Sequence, residues 1–496
     1  MAEREAAKQV EAVEPAEAGG RRAGVTMFSP LSAILRRPVT VPLEATVREA
    51  LETMERARVG SVVVADPRRG FALGIFTLQD LVRRVTLPGG DLQQPIAAVM
   101  TSGLITLPPE GTAHQAALTM ARNGVRHVVV VDAEGRLAGI VSQNDLFGPQ
   151  RVGVKQISTE LQAARDMDGL RSAALGIRRL ADELLAQGVS VETLTHHVST
   201  LNDLLTIRVI ELTADELAPP PVPLCWIALG SEGRLEQTFS TDQDNGIVFE
   251  ADEDDAERVR EGLLPFARAV NDRLHACGFP LCKGEVMAGN PRWCLTLDEW
   301  RRTFVRWIQV PDPQALLNAA IFFDLRAVYG NATLAERLRA TLLAAARDRP
   351  LFLRHMAENA LQCRPPLGVV RDFTYDRSKE YPHTIDLKMN GSRPFVDAAR
   401  ILALAHGVAH TNTAERLRAV DAVAPFAPGR LAAIVDAFYF VHLMRLRSQR
   451  EPPRPGAAPN RIDPRQLNEL DRHVLKEAFR QARHLQTRLA LEYGLP

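Results

Sequence analysis

Two stretches of this chain are copies of one another. VTVPLEATVREALETM (39–54) returns as LITLPPEGTAHQAALTM (104–120), SVVVAD (61–66) as HVVVVD (127–132), and GIFTLQDL (74–81) as GIVSQNDL (139–146). Thr46 answers to Thr112, Met54 to Met120, Asp66 to Asp132 and Asp80 to Asp145, an offset of 65 or 66 residues throughout. A period of that length demands two copies of one supersecondary unit. Each unit reads as a short strand, a helix, two strands around a glycine-containing turn, and a closing helix. At 496 residues the chain has room for about three or four cores, so the repeat over 28–149 leaves most of it to other domains.

The second informative stretch is LGSEGRLEQTFSTDQDNGIVF (229–249). An apolar run from Leu224 to Leu229 meets Gly230-Ser231, a polar turn follows, and Asp242 and Asp244 lead into a second apolar run, Gly246 to Phe249. Residues i and i+2 of an extended strand share a face, so the two carboxylates are expected side by side, opposite the Gly-Ser turn. Paired carboxylates repel unless a cation lies between them. Hard oxygen ligands suit Mg²⁺ carrying substrate phosphates, so the pattern points to a metal-dependent site acting on phosphorus.

Gly-Ser followed by Asp-x-Asp resembles the nucleotidyltransferase fold, and GSEGRLEQTFSTDQDN is most similar to a branch of bacterial proteins related to the PII-protein uridylyltransferases. In that branch a pair of CBS domains often precedes the transferase, and the repeat over 28–149 resembles such a pair. The resemblance implies a multidomain α/β chain: a tandem CBS pair, a helical linker (150–218), a nucleotidyltransferase-fold α/β core (219–310) and a C-terminal all-α module (311–496) that binds the acceptor. It covers nearly all of 30–490.

The remaining segments fit that order. Residues 1–27 have almost no large apolar side chains and read as a disordered tail. Over 150–218 the apolar spacing is helical, Gly188 separates two helices, and Ala218-Pro-Pro-Pro-Val-Pro223 ends the second. Phe279–Met287 reads as a core strand, and Pro291–Ile308, with three tryptophans, as helical. Beyond 311 the pattern is almost wholly helical. Sixty basic residues balance sixty acidic ones, which gives no electrostatic reason to expect nucleic acid as a partner. Five cysteines without any C-x-x-C pairing read as reduced thiols. No signal peptide is visible, and the longest apolar stretch, Leu431–Met444, is interrupted by Asp436 and His442. A cytoplasmic protein without a membrane partner is expected.

Within the resemblance, Asp242 and Asp244 hold Mg²⁺ and carry catalysis, while Gly230, Ser231, Arg234 and Lys388 contact the nucleotide. For Arg234 an ion pair with Glu236 or Asp242 is an equal rival, and for Lys388 a helix-start network with Arg393, Asp397 and Arg400 is another. A third metal carboxylate is sought on a neighbouring strand, with Glu285 best placed. Asp324 is a further candidate, although pairing with Arg326 suits it better. Thr77 with Asp80 and Ser142 with Asp145 are the CBS positions that commonly contact an adenosine nucleotide; the same residues form capping boxes, and both roles can coexist. His196, His197, His406 and His410 read as structural or surface residues.

The expectation is a regulated transfer of a uridylyl or adenylyl group from UTP or ATP to an acceptor, with kinship suggesting a protein acceptor, and with adenosine nucleotide sensed at the CBS pair. A nucleotide-binding regulator without turnover is the alternative from another class, and RNA-end transfer is a third that the neutral charge disfavours. Binding at the two nucleotide sites is expected to be coupled through residues 150–218. A homodimer is plausible for a CBS pair.

Overall fold

The structure is a computed structural model that describes residues 27, 29–57, 59–146, 151–368, 373–375, 380–450 and 459–496. The expected tail therefore lies outside the described residues except for Met27, which is buried and whose carbonyl accepts from His114 N–H at 2.8 Å.

Each repeat builds one three-stranded sheet. The first comprises β1 (Thr40–Val41), α1 (Val47–Ala57), β2 (Ser61–Ala65), β3 (Ala72–Thr77) and α2 (Leu78–Asp80); the second comprises β4 (Thr106–Leu107), α3 (Ala113–Arg122), β5 (His127–Val131), β6 (Leu137–Ser142) and α4 (Gln143–Leu146). In both, the first pair is parallel and the second antiparallel, and even the irregularity recurs, after Val64 and after Val130. The halves bridge reciprocally: Arg36 meets Ile140 on β6, and Thr101, 65 residues on, meets Ile75 on β3. That reciprocity is the pseudo-twofold relation the repeat predicts.

Three helices follow: α5 (Arg151–Ala163), α6 (Met167–Ala186) and α7 (Val191–Leu217). Asp166 and Ser190 cap α6 and α7, Gly188 takes a positive φ of 74° between them, and Ala218, at φ 39°, ends α7 before the prolines. The helix α7 is buried on nearly every face because α5, α6 and α3 on one side and elements of the following core on the other enclose it. It carries His196 and His197, which burial pushes down to about 3 and about 4. An unfolded chain takes up both protons as pH falls through 6.5, whereas the folded chain refuses them until near 4 and 3. Stability is therefore complete above pH 6.5 and falls by about 1.4 kcal/mol per pH unit for each histidine below it. Thermal melts between pH 7 and 5 are expected to be flatter for a His196→Gln, His197→Gln variant than for the native chain; parallel curves would refute this.

The core contains β7 (Leu224–Ala228), the single turn α8 (Gly230–Gly233), β8 (Asn245–Phe249), α9 (Ala256–Ala276), β9 (Cys294–Thr296), α10 (Leu297–Gln309), α11 (Pro313–Phe322) and β10 (Arg326–Gly330). The sheet order is β10-β7-β8-β9, with only β8 and β9 parallel. Alternation decides the faces: Trp226, Ala228, Ile247, Phe249 and Val328 pack toward α7 and α9, while Cys225, Ile227 and Val248 pack toward α10 and the C-terminal helices.

Three expectations need correction. The sheet takes its outer strand from 326–330, so the core extends past 310; β10 is short and flanked by helices, which hides it in the pattern. Phe279–Met287 is a turn-rich loop, not a strand, because Glu285 adopts a positive φ of 55° and its N–H bonds back to Cys282. Pro291–Ile308 is not one helical segment: a 3-10 turn at Pro291–Trp293 and the helix from Leu297 flank Cys294–Thr296, which pairs with β8.

The C-terminal module is α12 (Ala332–Arg347), α13 (Pro350–Gln362), β11 (Ile385–Asp386), α14 (Arg393–Ala405), α15 (Thr413–Val423), α16 (Arg430–Arg450), β12 (Arg461–Ile462) and α17 (Glu469–Glu492). The pair β11–β12 is antiparallel and joins the loop before α14 to the segment before α17. Among the described residues no helix is long and apolar enough to cross a membrane.

Candidate active site

The Gly-Ser turn and the aspartates meet at one end of the core sheet. Beyond the last β7–β8 pair, Ala228 with Asn245, the Leu229 N–H donates to the Asp244 carbonyl at 2.9 Å. Asp242 and Asp244 thus precede β8 instead of lying on it, but the expected alternation holds: both are half-buried and Gln243 between them is buried. Gln243 explains why. Its Nε2 donates to the carbonyls of Asn271 (2.9 Å) and Phe279 (3.0 Å), and its Oε1 accepts from Asn271 Nδ2 at 2.8 Å. Asn271 also donates to Asn245 Oδ1 at 3.0 Å. This network pins the middle residue inward and turns both carboxylates outward.

Gly230 has a positive φ of 54°, and a Cβ there would lie 2.8 Å from Asp244 Oδ2. Only glycine allows the turn to approach the carboxylate so closely. Ser231 is half-buried beside it. Burial first, and then the neighbouring Asp242, push Asp244 up to about 6, against the Cys282 thiol at 3.3 Å, Lys388 and Arg234. Lys388 of the C-terminal module is exposed, and its charge acts on Asp244.

One candidate takes its rival reading and one stands elsewhere than expected. Arg234 is committed to an ion-pair network, with Nε 2.7 Å from Glu236 and Nη1 2.6 Å from Asp324. Glu285 is exposed on its loop turn, where its carbonyl accepts from Trp293 Nε1 at 3.0 Å; as a third metal carboxylate on a neighbouring strand it is not supported. Among the described residues no trio of His, Cys, Asp or Glu is disposed to hold a metal. Asp324 pairs not with Arg326 but with Arg234, Arg400 and Arg416.

Sequence reasoning missed the polar support. Arg326 on β10 holds Asp203 of α7 with Nη1 and Nη2, each at 2.9 Å, and donates from Nη2 to the Glu232 carbonyl of α8 at 3.0 Å. His114 of α3 lies 3.3 Å from the same Asp203. A side chain of the second repeat, the linker and the Gly-Ser turn therefore share one buried network. Burial and Asp203 push Glu232 up to about 8 within it. Gly233 closes the turn against the core: a Cβ there would stand 1.8 Å from the Asp324 carbonyl oxygen. Gly233→Ala is accordingly expected to cost on the order of 3 kcal/mol, read as a lowered melting temperature; an unchanged melt would contradict the close approach.

In the repeats, Asp80 Oδ2 accepts from Thr77 N–H (3.0 Å) and Oγ1 (2.7 Å), and Asp145 Oδ2 accepts from Ser142 N–H (2.9 Å) and Oγ (2.6 Å). The full capping box is realised in the first repeat, where the Asp80 N–H also donates to Thr77 Oγ1 at 3.2 Å; in the second the carboxylate half of the box is formed. All four residues also line one cleft between the repeats, and Asp145 takes an ion pair from Arg36 at 2.5 Å.

Comparison with known proteins divides the chain along the same lines. CBS domains match residues 31–86 and 96–148, the family described as "Putative nucleotidyltransferase DUF294" matches 176–314, and "Putative nucleotidyltransferase substrate binding domain" matches 350–493. The CBS domain-containing protein YhcV of Bacillus subtilis is 32% identical over 121 residues, 24% of this chain and 80% of that protein. Arabinose 5-phosphate isomerase GutQ of Escherichia coli is 31% identical over 127 residues; the chain spans 39% of its length. Among solved structures, a CBS domain protein from Pyrobaculum aerophilum, described as complexed with AMP, is 30% identical over 26% of this chain and 99% of its own, with a TM-score of 0.24.

Proposed function

Because the chain belongs to the CBS-domain proteins that carry the DUF294 nucleotidyltransferase and substrate-binding domains, we propose that it transfers a nucleotidyl group from UTP or ATP to a protein acceptor in the cytoplasm, under control of an adenosine nucleotide at the CBS pair. The observation that carries this reading is the close approach of Gly230 to Asp244, with Asp242 two residues before it and the charge of Lys388 acting on it. The acceptor oxygen attacks the α-phosphorus, that O–P bond forms as the bond to the β-phosphate oxygen breaks, and pyrophosphate leaves.

The site fits Mg²⁺. Burial and like charge leave Asp244 short of compensation, and Mg²⁺ is ordinarily held by one or two carboxylates, with phosphates and water completing its shell. Asp242 and Asp244 would hold such an ion, which would supply charge neutralisation to the reacting phosphates. The Gly230 backbone admits the triphosphate without a Cβ clash, Ser231 is placed to donate to a phosphate oxygen, and Lys388 adds positive charge. Arg234 contributes at longer range, since its own hydrogen bonds are spent on Glu236 and Asp324.

One observation favours a nucleotide sensor without turnover: no third acid joins the pair among the described residues. Incubation with α-labelled UTP and ATP, Mg²⁺ and cell lysate separates the two. Label on a discrete protein band, lost in an Asp242→Ala, Asp244→Ala chain, establishes transfer. Nucleotide binding that this double substitution abolishes, without pyrophosphate release from the native chain, establishes the sensor. The network from His114 through Asp203 and Arg326 to Glu232 offers a route by which an occupied CBS cleft alters the Gly-Ser turn.

A further inference from the structure

The cleft between the two CBS halves encloses about 690 Å³. Its apolar wall includes Val39, Val63, Ile75, Ile105, Val129 and Ile140, a surface suited to a base. Around this wall stand six cationic side chains, Arg36, Arg37, Arg83, Arg84, Arg126 and Lys155, against two carboxylates, Asp80 and Asp145. Arg36 is spent on Asp145, and Arg84 donates to the carbonyls of Val99 (3.1 Å) and Met100 (2.7 Å). Among the described residues no carboxylate pairs with Arg37, Arg83, Arg126 or Lys155. Exposed arginines and lysines are ordinary on a convex face, but four uncompensated ones converging on a concave apolar cleft raise its potential and favour an anion of several charges.

Lys155 differs from the rest because it lies outside the repeat, on α5 of the linker. That helix is tied to its surroundings on both sides. Toward the repeats, Gln143 Nε2 donates to Ser158 Oγ at 3.0 Å. Toward the linker, α5 and α6 mesh through glycines: a Cβ on Gly153 would stand 2.7 Å from Leu180 Cδ1, and one on Gly176 3.5 Å from Ile157. Arg208 of α7 donates to the Ala164 carbonyl just past the end of α5 at 2.9 Å. Helices meshed this tightly cannot move independently, and α7 carries Asp203, the partner of Arg326.

We propose that the cleft takes a nucleoside polyphosphate in preference to a monophosphate, and that Lys155 grips its terminal phosphates, so that the linker helix senses how many phosphates the ligand carries. The proposal rests on the reading of the cleft as an adenosine-nucleotide site, and deepens it by naming the charge class of the ligand and the residue that reports it. The apolar wall holds the base in every case. Only the longer phosphate chain reaches across the cleft to α5, so AMP occupies the cleft without engaging the linker, whereas ADP and ATP engage it.

Calorimetric titration of the full chain tests this, with adenosine, AMP, ATP and inorganic tripolyphosphate as probes. EDTA suppresses metal-dependent binding at Asp242 and Asp244, and ATP that AMP displaces competitively is assigned to the cleft. Native protein is expected to bind ATP at least about tenfold more tightly than AMP, as charge-assisted contacts require. Lys155→Met should bring that ratio within about threefold and leave the AMP affinity unchanged, and Lys155→Arg should restore it. Lys155 is exposed, so the substitution leaves the fold intact. A ratio that survives Lys155→Met, or native protein that binds AMP as tightly as ATP, overturns the proposal. If no nucleoside binds while tripolyphosphate binds in a Lys155-dependent way, the adenosine reading fails and the phosphate readout stands. If no probe binds, both fall.

Discussion

Asp244→Asn is expected to reduce transfer by at least about 10³-fold while leaving the melting temperature unchanged or slightly raised. The substitution is nearly isosteric and keeps an oxygen for the Cys282 thiol that now lies 3.3 Å away. It removes half of a carboxylate pair whose mutual repulsion and burial already hold Asp244 near 6. Charge that is costly to the empty protein is what a cation–triphosphate needs, so activity and stability separate here. Asp242→Asn should reduce transfer likewise. The check is label transfer alongside a melt on the same preparations. Transfer retained within about tenfold would remove the carboxylates from the chemistry and leave the Gly-Ser turn without its partner.

The second large effect concerns Asp324, which touches no part of the proposed reaction. Burial alone would raise its carboxyl, but Arg400, Arg416 and Arg234, each within 2.6 Å, overrule that and hold it far below the usual carboxylate range. Arg400 is further paired with Asp397 at 2.7 Å, and Arg234 with Glu236, whose Oε1 accepts from Thr413 N–H at 2.6 Å. Asp324→Asn removes the charge that three guanidiniums share in the junction between core and C-terminal module, and leaves Arg416 without a carboxylate. Its expected cost is about 3–5 kcal/mol, read by urea denaturation. Because the acid is depressed in the folded state, its contribution is fully present above its ordinary value of 3.8 and is lost only as pH falls toward the depressed one. A variant as stable as the native chain at pH 7 would refute this account of the junction.

The contrast between these two sites shows which features a sequence reveals. Gly230, Ser231, Asp242 and Asp244 fall within fifteen residues, and two strands and a turn suffice to bring them together, so local spacing carries the geometry. The paired repeat is visible for the same reason: each half repeats its own register. Asp324 finds Arg400 and Arg416 76 and 92 residues away, and no local pattern marks such partners. Its nearest cation in sequence, Arg326, was the obvious choice and went instead to Asp203. Gln243 and Asn271 were invisible as supports because buried amides look like any polar residues until their partners are known. Glu285 shows the opposite error: Leu281, Cys282, Val286 and Met287 read as a strand, but Lys283-Gly284 and a left-handed Glu285 turn the chain back. Lys388 is marked by resemblance alone, since no spacing links it to aspartates more than 140 residues before it.

The strand β10 gives the catalytic module an unusual kind of indivisibility. The matched nucleotidyltransferase region ends at 314, yet Arg326–Gly330 completes the sheet beside β7. A fragment cut at that boundary would present Leu224–Ala228 as a bare edge, with a row of unsatisfied amides and carbonyls open to any passing strand. Such a fragment should aggregate, whatever the merits of its active-site residues. Evolution meets the same restriction: a gene fusion that borrowed only the recognisable motif would inherit an open sheet. The unit that closes this sheet is therefore the motif together with the strand that follows three helices later, which ties the core to the start of its helical neighbour.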